Sequence, residues 1–350
     1  MWALSFIILI SFTDSTRSSN HWDDLKLFSD HPVLSGTVAA LPMIVKNCKS
    51  TATKNKYDSY FLRFKNWCSS HGLNFLPASV PTVALFLGSI IQQKVSVSVL
   101  EAYVYSISWQ HSLSLKSNPC QDNFISLILE GGKRMLSKPI NKKEPITTDI
   151  LLKLVNFYKQ NCNLLNLRTC VMCLLGFSGF LRLSELSNIR FSDLTWHDNY
   201  LEIKIHKSKT DIYRRGNSII GKTGNELCPL FWFKKYISQA GFNDDPENFL
   251  FTAVNFFKSL GSYKVSNTRK ALSYTRCREI LLSALEDIGL DSSKYALHSL
   301  RSGGASAAAS NNVPDRLLKV HGRWSSDRAK DGYIKDSLQQ KILVSLNLGL

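Results

Sequence analysis

Tyr333, in GYI, follows Trp324 in GRW and the segment HSLR that holds His298 and Arg301, while Arg182 stands far upstream in FLRLSE. A tyrosine becomes a covalent nucleophile toward a phosphodiester only where cationic donors neutralise the phosphate and the charge developing on it. Two arginines distant in sequence suit that need. A phenol is mostly protonated near neutral pH, so attack also requires help from the cationic pocket or from a base, and His298 is the candidate. Chemistry of this kind is DNA strand cleavage without a metal.

Each residue also has a structural reading. Arg182 and Glu185 lie one helical turn apart, so the carboxylate can orient the guanidinium or simply form a surface ion pair. His298 and Arg301, at i and i+3, can face one way from a helix start, and Gly303 and Gly304 are expected to let the backbone approach a phosphate. The indole N–H of Trp324 can donate to a non-bridging oxygen, although the ring has no titratable proton for acid–base work. A purely packing tryptophan is the competing reading. His321, three residues earlier, is the alternative to Trp324 at this position.

The elements that must position these residues are legible in the pattern. From about Ser50, Tyr57, Tyr60, Phe61, Phe64, Trp67 and Cys68 recur at steps of three and four, which predicts one helix with a buried aromatic stripe. Lys54, Arg63 and Lys65 lie on its other faces as candidate DNA-backbone contacts or as a solvated surface. PTVALFLGSII and the segment from Val99 to Leu113 predict further helices, so residues 36–142 form a helical domain. Residues 1–35 are a leader; 13–35 are polar and turn-rich, and the apolar MWALSFIILISF is shorter than the ~20 residues of a membrane span, lacks the charge that opens a signal peptide and has no assigned role. The stretch from Lys138 to Thr147, rich in proline and lysine, reads as a linker to a second domain, residues 143–350.

In that second domain, Leu151–Tyr158 and Leu167–Phe177 predict buried helices. The alternation of Leu201, Ile203 and Ile205 against Glu202, Lys204 and His206 predicts a strand returning through a hairpin toward Ile219 and Ile220. Lys204, Lys207, Lys209, Arg214, Arg215 and Lys222 make this hairpin strongly basic. After Tyr333, Ile334, Leu338, Ile342 and Leu346 repeat every fourth residue, as in an amphipathic helix. The eight cysteines are scattered, and Cys170 and Cys173, though spaced C-x-x-C, sit in an apolar run and read as core thiols. With 43 Lys+Arg against 27 Asp+Glu, the formal charge of +16 suits a polyanionic partner, double-stranded DNA being the obvious one.

Taken together, Arg182, the basic hairpin, His298-x-x-Arg301, Trp324 and Tyr333 resemble the active-site pattern of the tyrosine recombinases, the phage integrase family, over roughly residues 145–340. Trp324 follows Arg301 by 23 residues and precedes Tyr333 by nine, separations typical of that family and of its Cre-like members. The wording KVHGRWSSDRAKDGYIKDSL further resembles recombinases of eukaryotic mobile elements, of the Crypton and DIRS kind.

The resemblance implies a mainly α fold with a small β component, in which a helical core-binding domain and an α+β catalytic domain clamp DNA. It implies a 3′-phosphotyrosyl intermediate formed by Tyr333, with Arg182 and Arg301 on the phosphate and Glu185 in support. It also implies a hairpin lysine that protonates the departing 5′-oxygen: Lys209 in K-S-K-T, or alternatively Lys207, with Arg214 and Arg215 as further DNA contacts. No cofactor or metal is implied. The C-terminal helix is expected to join a homo-tetramer on DNA, and the location is the nucleus if the host is eukaryotic, otherwise the cytoplasm with its DNA. Two departures stand out: the family's T-G-x-R is S-G-F-L-R here, one residue longer before the arginine, and Ser302 follows Arg301 where bacterial members have histidine. A catalytically silent DNA-binding descendant and a type IB topoisomerase-like nicking-resealing enzyme are the competing readings.

Overall fold

The computed structural model describes residues 21–114, 116–139, 141–206, 216–242 and 245–349. The chain divides into two compact units, one up to Ile140 and one from Asn141 onward.

The first unit is helical: α1 His21–Lys26, α2 Ser35–Lys46, α3 Thr51–Ser70, α4 Val80–Gln92, α5 Val97–Leu113 and α6 Asn123–Leu136. Ser50 starts α3 by accepting a hydrogen bond from the Thr53 amide (3.2 Å), and Ser79 starts α4 through Thr82 in the same way. The stripe on α3 buries Phe64 and Cys68, and Phe64 meets Phe86 edge-on at 5.0 Å, as Phe86 meets Tyr103. The polar reading of 13–35 and the helical onset at Ser50 need correction within the described residues. Helix α1 falls inside that segment, held to the end of α5 by Trp22 Nε1 donating to the Leu113 carbonyl (2.8 Å), and α2 begins at Ser35. Helix α2 buries none of its residues, so its apolar pattern gave no amphipathic signal against this unit.

The second unit is built around α8. Its helices are α7 Thr148–Lys159, α8 Leu164–Ser178, α9 Leu183–Leu186, α10 Pro229–Ala240, α11 Tyr274–Asp287, α12 His298–Ser310, α13 Asp315–His321, α14 Asp327–Asp331 and α15 Leu338–Leu346. Strands β1 Leu194–Trp196, β2 Tyr200–Lys204 and β3 Asn217–Gly221 form an antiparallel sheet in that order, and β4 Val254–Phe257 pairs with β5 Ser262–Val265. The β2–β3 register sets Leu201 opposite Ile220 and Ile203 opposite Ser218, with Leu201, Ile203 and Ile220 buried in the core.

Helix α8 is buried nearly all round, which is why its sequence LLNLRTCVMCLLGFS shows little polar face. Each fully buried leucine or valine in such a helix contributes about 1.5–3 kcal/mol relative to exposure. Cys170 and Cys173 lie in this core as free thiols, and burial pushes both thiols up, Cys173 to about 12. The fold is the α+β architecture expected, mainly helical with two small sheets. Among the described residues no helix is long and apolar enough to cross a membrane.

Candidate active site

Helix α8 ends at Ser178, and the chain turns through Gly179 and Phe180 before delivering Arg182 to the N-terminus of α9. Phe180 adopts a left-handed backbone, with φ of 45°. In that conformation the Phe180 carbonyl accepts from both Arg301 and Arg323. The turn is fixed from the sheet side as well, because the buried Ser218 of β3 donates its hydroxyl to the Gly179 carbonyl (3.2 Å). This hydrogen bond ties the base of the hairpin to the arginine turn.

Arg182 is nearly buried. Its Nη1 donates to Glu185 Oε1 at 2.7 Å and its backbone N–H to Glu185 Oε2 at 2.9 Å. Glu185 is thus no surface partner: its side chain is fully buried. Burial opposes its ionisation, but Arg323 and then the backbone and side chain of Arg182 outweigh that and hold the carboxyl below its ordinary range.

Arg301, on the first turn of α12, is completely buried. It donates from Nη1 to the Phe180 carbonyl and from Nη2 to the Gly322 carbonyl (2.5 Å). Its guanidinium is sandwiched between two aromatic rings, 4.7 Å from the Trp324 centroid and 4.9 Å from the Tyr333 centroid. Burial first, and then the neighbouring Arg182 charge, lower the basicity of this guanidinium.

The last two members come from the segment after α13. Trp324 is buried, 5.5 Å from the Tyr333 ring and packed on Phe180. Gly322 precedes it because any side chain there would overlap the indole. Tyr333 stands half-buried in the turn that ends α14, with its carbonyl accepting the Ser302 hydroxyl (2.5 Å) and its amide donating to Lys330 O (2.9 Å). His298 is exposed at the start of α12, its ring 6.1 Å from that of Tyr333.

Residues 182, 185, 298, 301, 324 and 333 therefore converge on one site. Lys207, Lys209, Arg214 and Arg215 lie outside the described residues. Lys54, Arg63 and Lys65 belong to the first unit: Lys54 donates to Asn47 (3.1 Å), Arg63 lies over the Tyr60 ring and Lys65 over the Phe75 ring. His321 is turned elsewhere, its Nε2 donating to the Ser178 carbonyl (2.8 Å) and its ring edge-on to Phe180.

One expectation is overturned. Gly303 and Gly304 do not leave backbone open to a phosphate, since a Cβ at either would collide with a main-chain carbonyl, Ile146 O for the first and Phe177 O for the second. They allow α12 to pack hard against the entry to α7 and the end of α8. Three residues at the site were given no role by the sequence reading. Ser302 ties α12 to the Tyr333 turn; Arg323 joins Glu185 at 2.9 Å; and Lys330 in α14 is buried among Asp315, Asp327 and Asp331. Adjacency to Arg301, Trp324 and Tyr333 was the available signal.

A buried carboxylate fixing one arginine, a second arginine stacked on the tyrosine, and an indole beside both make up one cationic cluster. A sequence model of the phage integrase family matches residues 144–339, more than half of the chain, and the protein belongs to that family, the tyrosine recombinases. Its relatives include an integrase/recombinase XerD homolog of Selenomonas ruminantium, 26% identical over 296 residues, covering 83% of each chain. The recombinase Cre of Escherichia phage P1 is 21% identical over 280 residues, 77% of this chain and 80% of its own. The fold is similar to that of XerH site-specific recombinase in a post-cleavage complex with its difH substrate, with a TM-score of 0.54 and 13% identity over 93% of this chain and 83% of that one.

Proposed function

We propose that Tyr333 is the nucleophile of a site-specific recombinase that cuts and rejoins double-stranded DNA. The phenol oxygen forms a bond to phosphorus while the bond from phosphorus to the 5′-oxygen breaks, leaving a 3′-phosphotyrosyl link. His298 accepts the phenolic proton and Lys209, or Lys207, returns one to the departing 5′-oxygen. Attack by the 5′-hydroxyl of a partner strand reverses these steps and rejoins DNA. Arg182 and Arg301 hold the non-bridging oxygens, Glu185 orients Arg182, and Trp324 donates from its indole.

The observation that carries this reading is a pair of orphaned donors. Trp324 Nε1 and Arg301 Nε are buried without a hydrogen-bond partner among the described residues, beside the Tyr333 ring. Orphaned polar atoms occur elsewhere in this unit, Arg168 Nε and Thr252 Oγ1 among them, but Trp324 Nε1 and Arg301 Nε share one cationic cluster, and an anion with several acceptor oxygens would satisfy both. Among the described residues, Arg182, Arg301 and Arg323 against Glu185 give the cluster a surplus of two positive charges, matched to a phosphorane whose charge grows in the transition state.

In the same reading, residues 36–142 form the core-binding domain, with Lys54, Arg63 and Lys65 toward the DNA backbone, and 143–350 form the catalytic domain. Arg214 and Arg215 extend the DNA contact along the hairpin. Helix α15 exposes Leu338, Ile342, Leu343, Val344 and Leu346, an apolar surface suited to docking on a neighbouring copy in a homo-tetramer. The GRW-to-tyrosine segment supports a mobile-element recombinase of the Crypton or DIRS kind, acting in a nucleus to integrate or excise its element.

Covalent trapping tests the chemistry. The protein and a Tyr333→Phe variant are incubated with labelled element termini or nicked suicide sites, without metal, and denatured. An adduct from the parent and none from the variant is expected. Binding to verified cognate sites without any adduct makes the protein a silent DNA-binding descendant.

A further inference from the structure

We infer that Arg323 is a positioning residue for strand cleavage: it takes up the charge of Glu185 so that Arg182 and Arg301 keep theirs for the phosphate. The inference rests on the roles proposed above for those two arginines.

The backbone is the first observation. Arg323 sits at φ of 54°, a left-handed conformation that a residue with a Cβ adopts at a cost and a glycine adopts freely. Such strain persists where the surroundings enforce it, and it clusters at functional sites. Here the side chain supplies the enforcement. It is 5% exposed, and it donates from Nη2 to Glu185 Oε2 (2.9 Å) and the Phe180 carbonyl (3.1 Å), and from Nη1 to the His321 carbonyl (2.9 Å).

Two of those acceptors are shared with the arginines that face the phosphate. The Phe180 carbonyl also accepts from Arg301 Nη1, and the Glu185 carboxylate also accepts from Arg182. With Oε2 already engaged by Arg323 and the Arg182 amide, Arg301 stays 4.0 Å from Glu185. Without Arg323 the carboxylate would face, among the described residues, Arg182 and Arg301, and would offset half their combined charge. It would also be free to draw Arg301 off the carbonyls that aim it. A lysine could not do the same work, because it lacks the planar fork that reaches a carboxylate and several carbonyls together.

A simple brace for the 179–180 turn would use the same hydrogen bonds, so the test separates charge from bracing. Rates of Tyr333 adduct formation on a nicked suicide site are compared for the parent, Arg323→Gly, Glu185→Gln and the double variant, with DNA affinity and Tm measured alongside. Arg323→Gly relieves the backbone strain but gives up the buried pair with Glu185, so Tm is expected to fall; with rates read well below the melting transition, the adduct rate is expected to fall roughly 10–100-fold, below the full loss of a direct donor. Removing the Glu185 charge from that variant restores the surplus of two, and the double variant is expected to form adduct at least several-fold faster than Arg323→Gly. Losses that multiply in the double variant, or an Arg323→Gly enzyme at the parental rate, overturn the inference.

If Arg323→Gly does not fold, Arg323→Lys against Arg323→Met decides: lysine keeps the charge and is expected to be the faster, and equal rates overturn the inference. A parent that forms no adduct, or a Tyr333→Phe variant that does, would defeat the underlying assignment of roles instead.

Discussion

Around Glu185 three guanidiniums share one buried carboxylate, whereas around Lys330 one buried ammonium faces three aspartates that are 64–69% exposed. The two clusters are opposite in ratio and in where the surplus lies. At Lys330 the excess negative charge is in water, where it costs little, and the buried ammonium is fully paired. At Glu185 the excess positive charge is inside the protein, where it is costly unless something negative joins it. The first arrangement fastens α14 and the Tyr333 turn that follows it. The second, in the reading proposed above, is a site prepared for an anion.

The contrast can be broken most directly at Arg301. Replacement by alanine removes a donor proposed for the phosphate and opens a void between Trp324 and Tyr333, and adduct formation is expected to fall by about 10²–10³-fold. Rate measurements on a suicide substrate check this. A loss under tenfold would mean that the buried surplus is structural.

Lys330→Met comes next. It leaves the aspartates solvated and repelling one another, loosens α14 and lets Tyr333 wander. Cleavage is expected to slow on the order of tenfold, because small misplacements of a reacting group are expensive, while DNA affinity measured by gel shift is unchanged.

Acid separates the clusters in a third way. Because the Glu185 carboxyl is held below its ordinary range, the stability it contributes is complete above the unfolded-state value near ~4.3 and is lost as pH falls through the lower folded value. Thermal melts between neutral pH and pH 3 are expected to show this loss in the parent, and Glu185→Gln should flatten that part of the profile.

The smallest effect belongs to Asp331→Asn. This exposed partner is one of three, and surface pairs contribute little, so Tm is expected to move by less than about 2 °C and the adduct rate by less than about twofold.

How much of this was legible beforehand differs from element to element. Helix α3 was readable because its stripe at Phe64 and Cys68 packs on one side only, so burial and periodicity coincide. Helix α2 was missed because it buries nothing, and β4 and β5 carry too few residues to show alternation. At the candidate site, residue type and spacing, both properties of a linear string, singled out Arg182, Glu185, His298, Arg301, Trp324 and Tyr333, which the fold brings together. Gly303 and Gly304 were misassigned because a glycine in sequence announces close approach without saying to what.

The sequence by itself determined the inventory: a basic two-part chain, its principal helices, the hairpin, and the order of residues able to attack and clamp a phosphodiester. Only the tertiary structure decided which of them share a charge. Arg301 meets the Phe180 carbonyl across 121 residues of chain, and Arg323 meets Glu185 across 138. Periodicity and motif spacing report local geometry, whereas contacts of that span are set by how α8, α12 and the 179–180 turn pack. Neither left-handed residue, Phe180 or Arg323, has a type that announces its conformation. That is why a third arginine, one residue from a recognisable tryptophan, came into view only when the chain was folded.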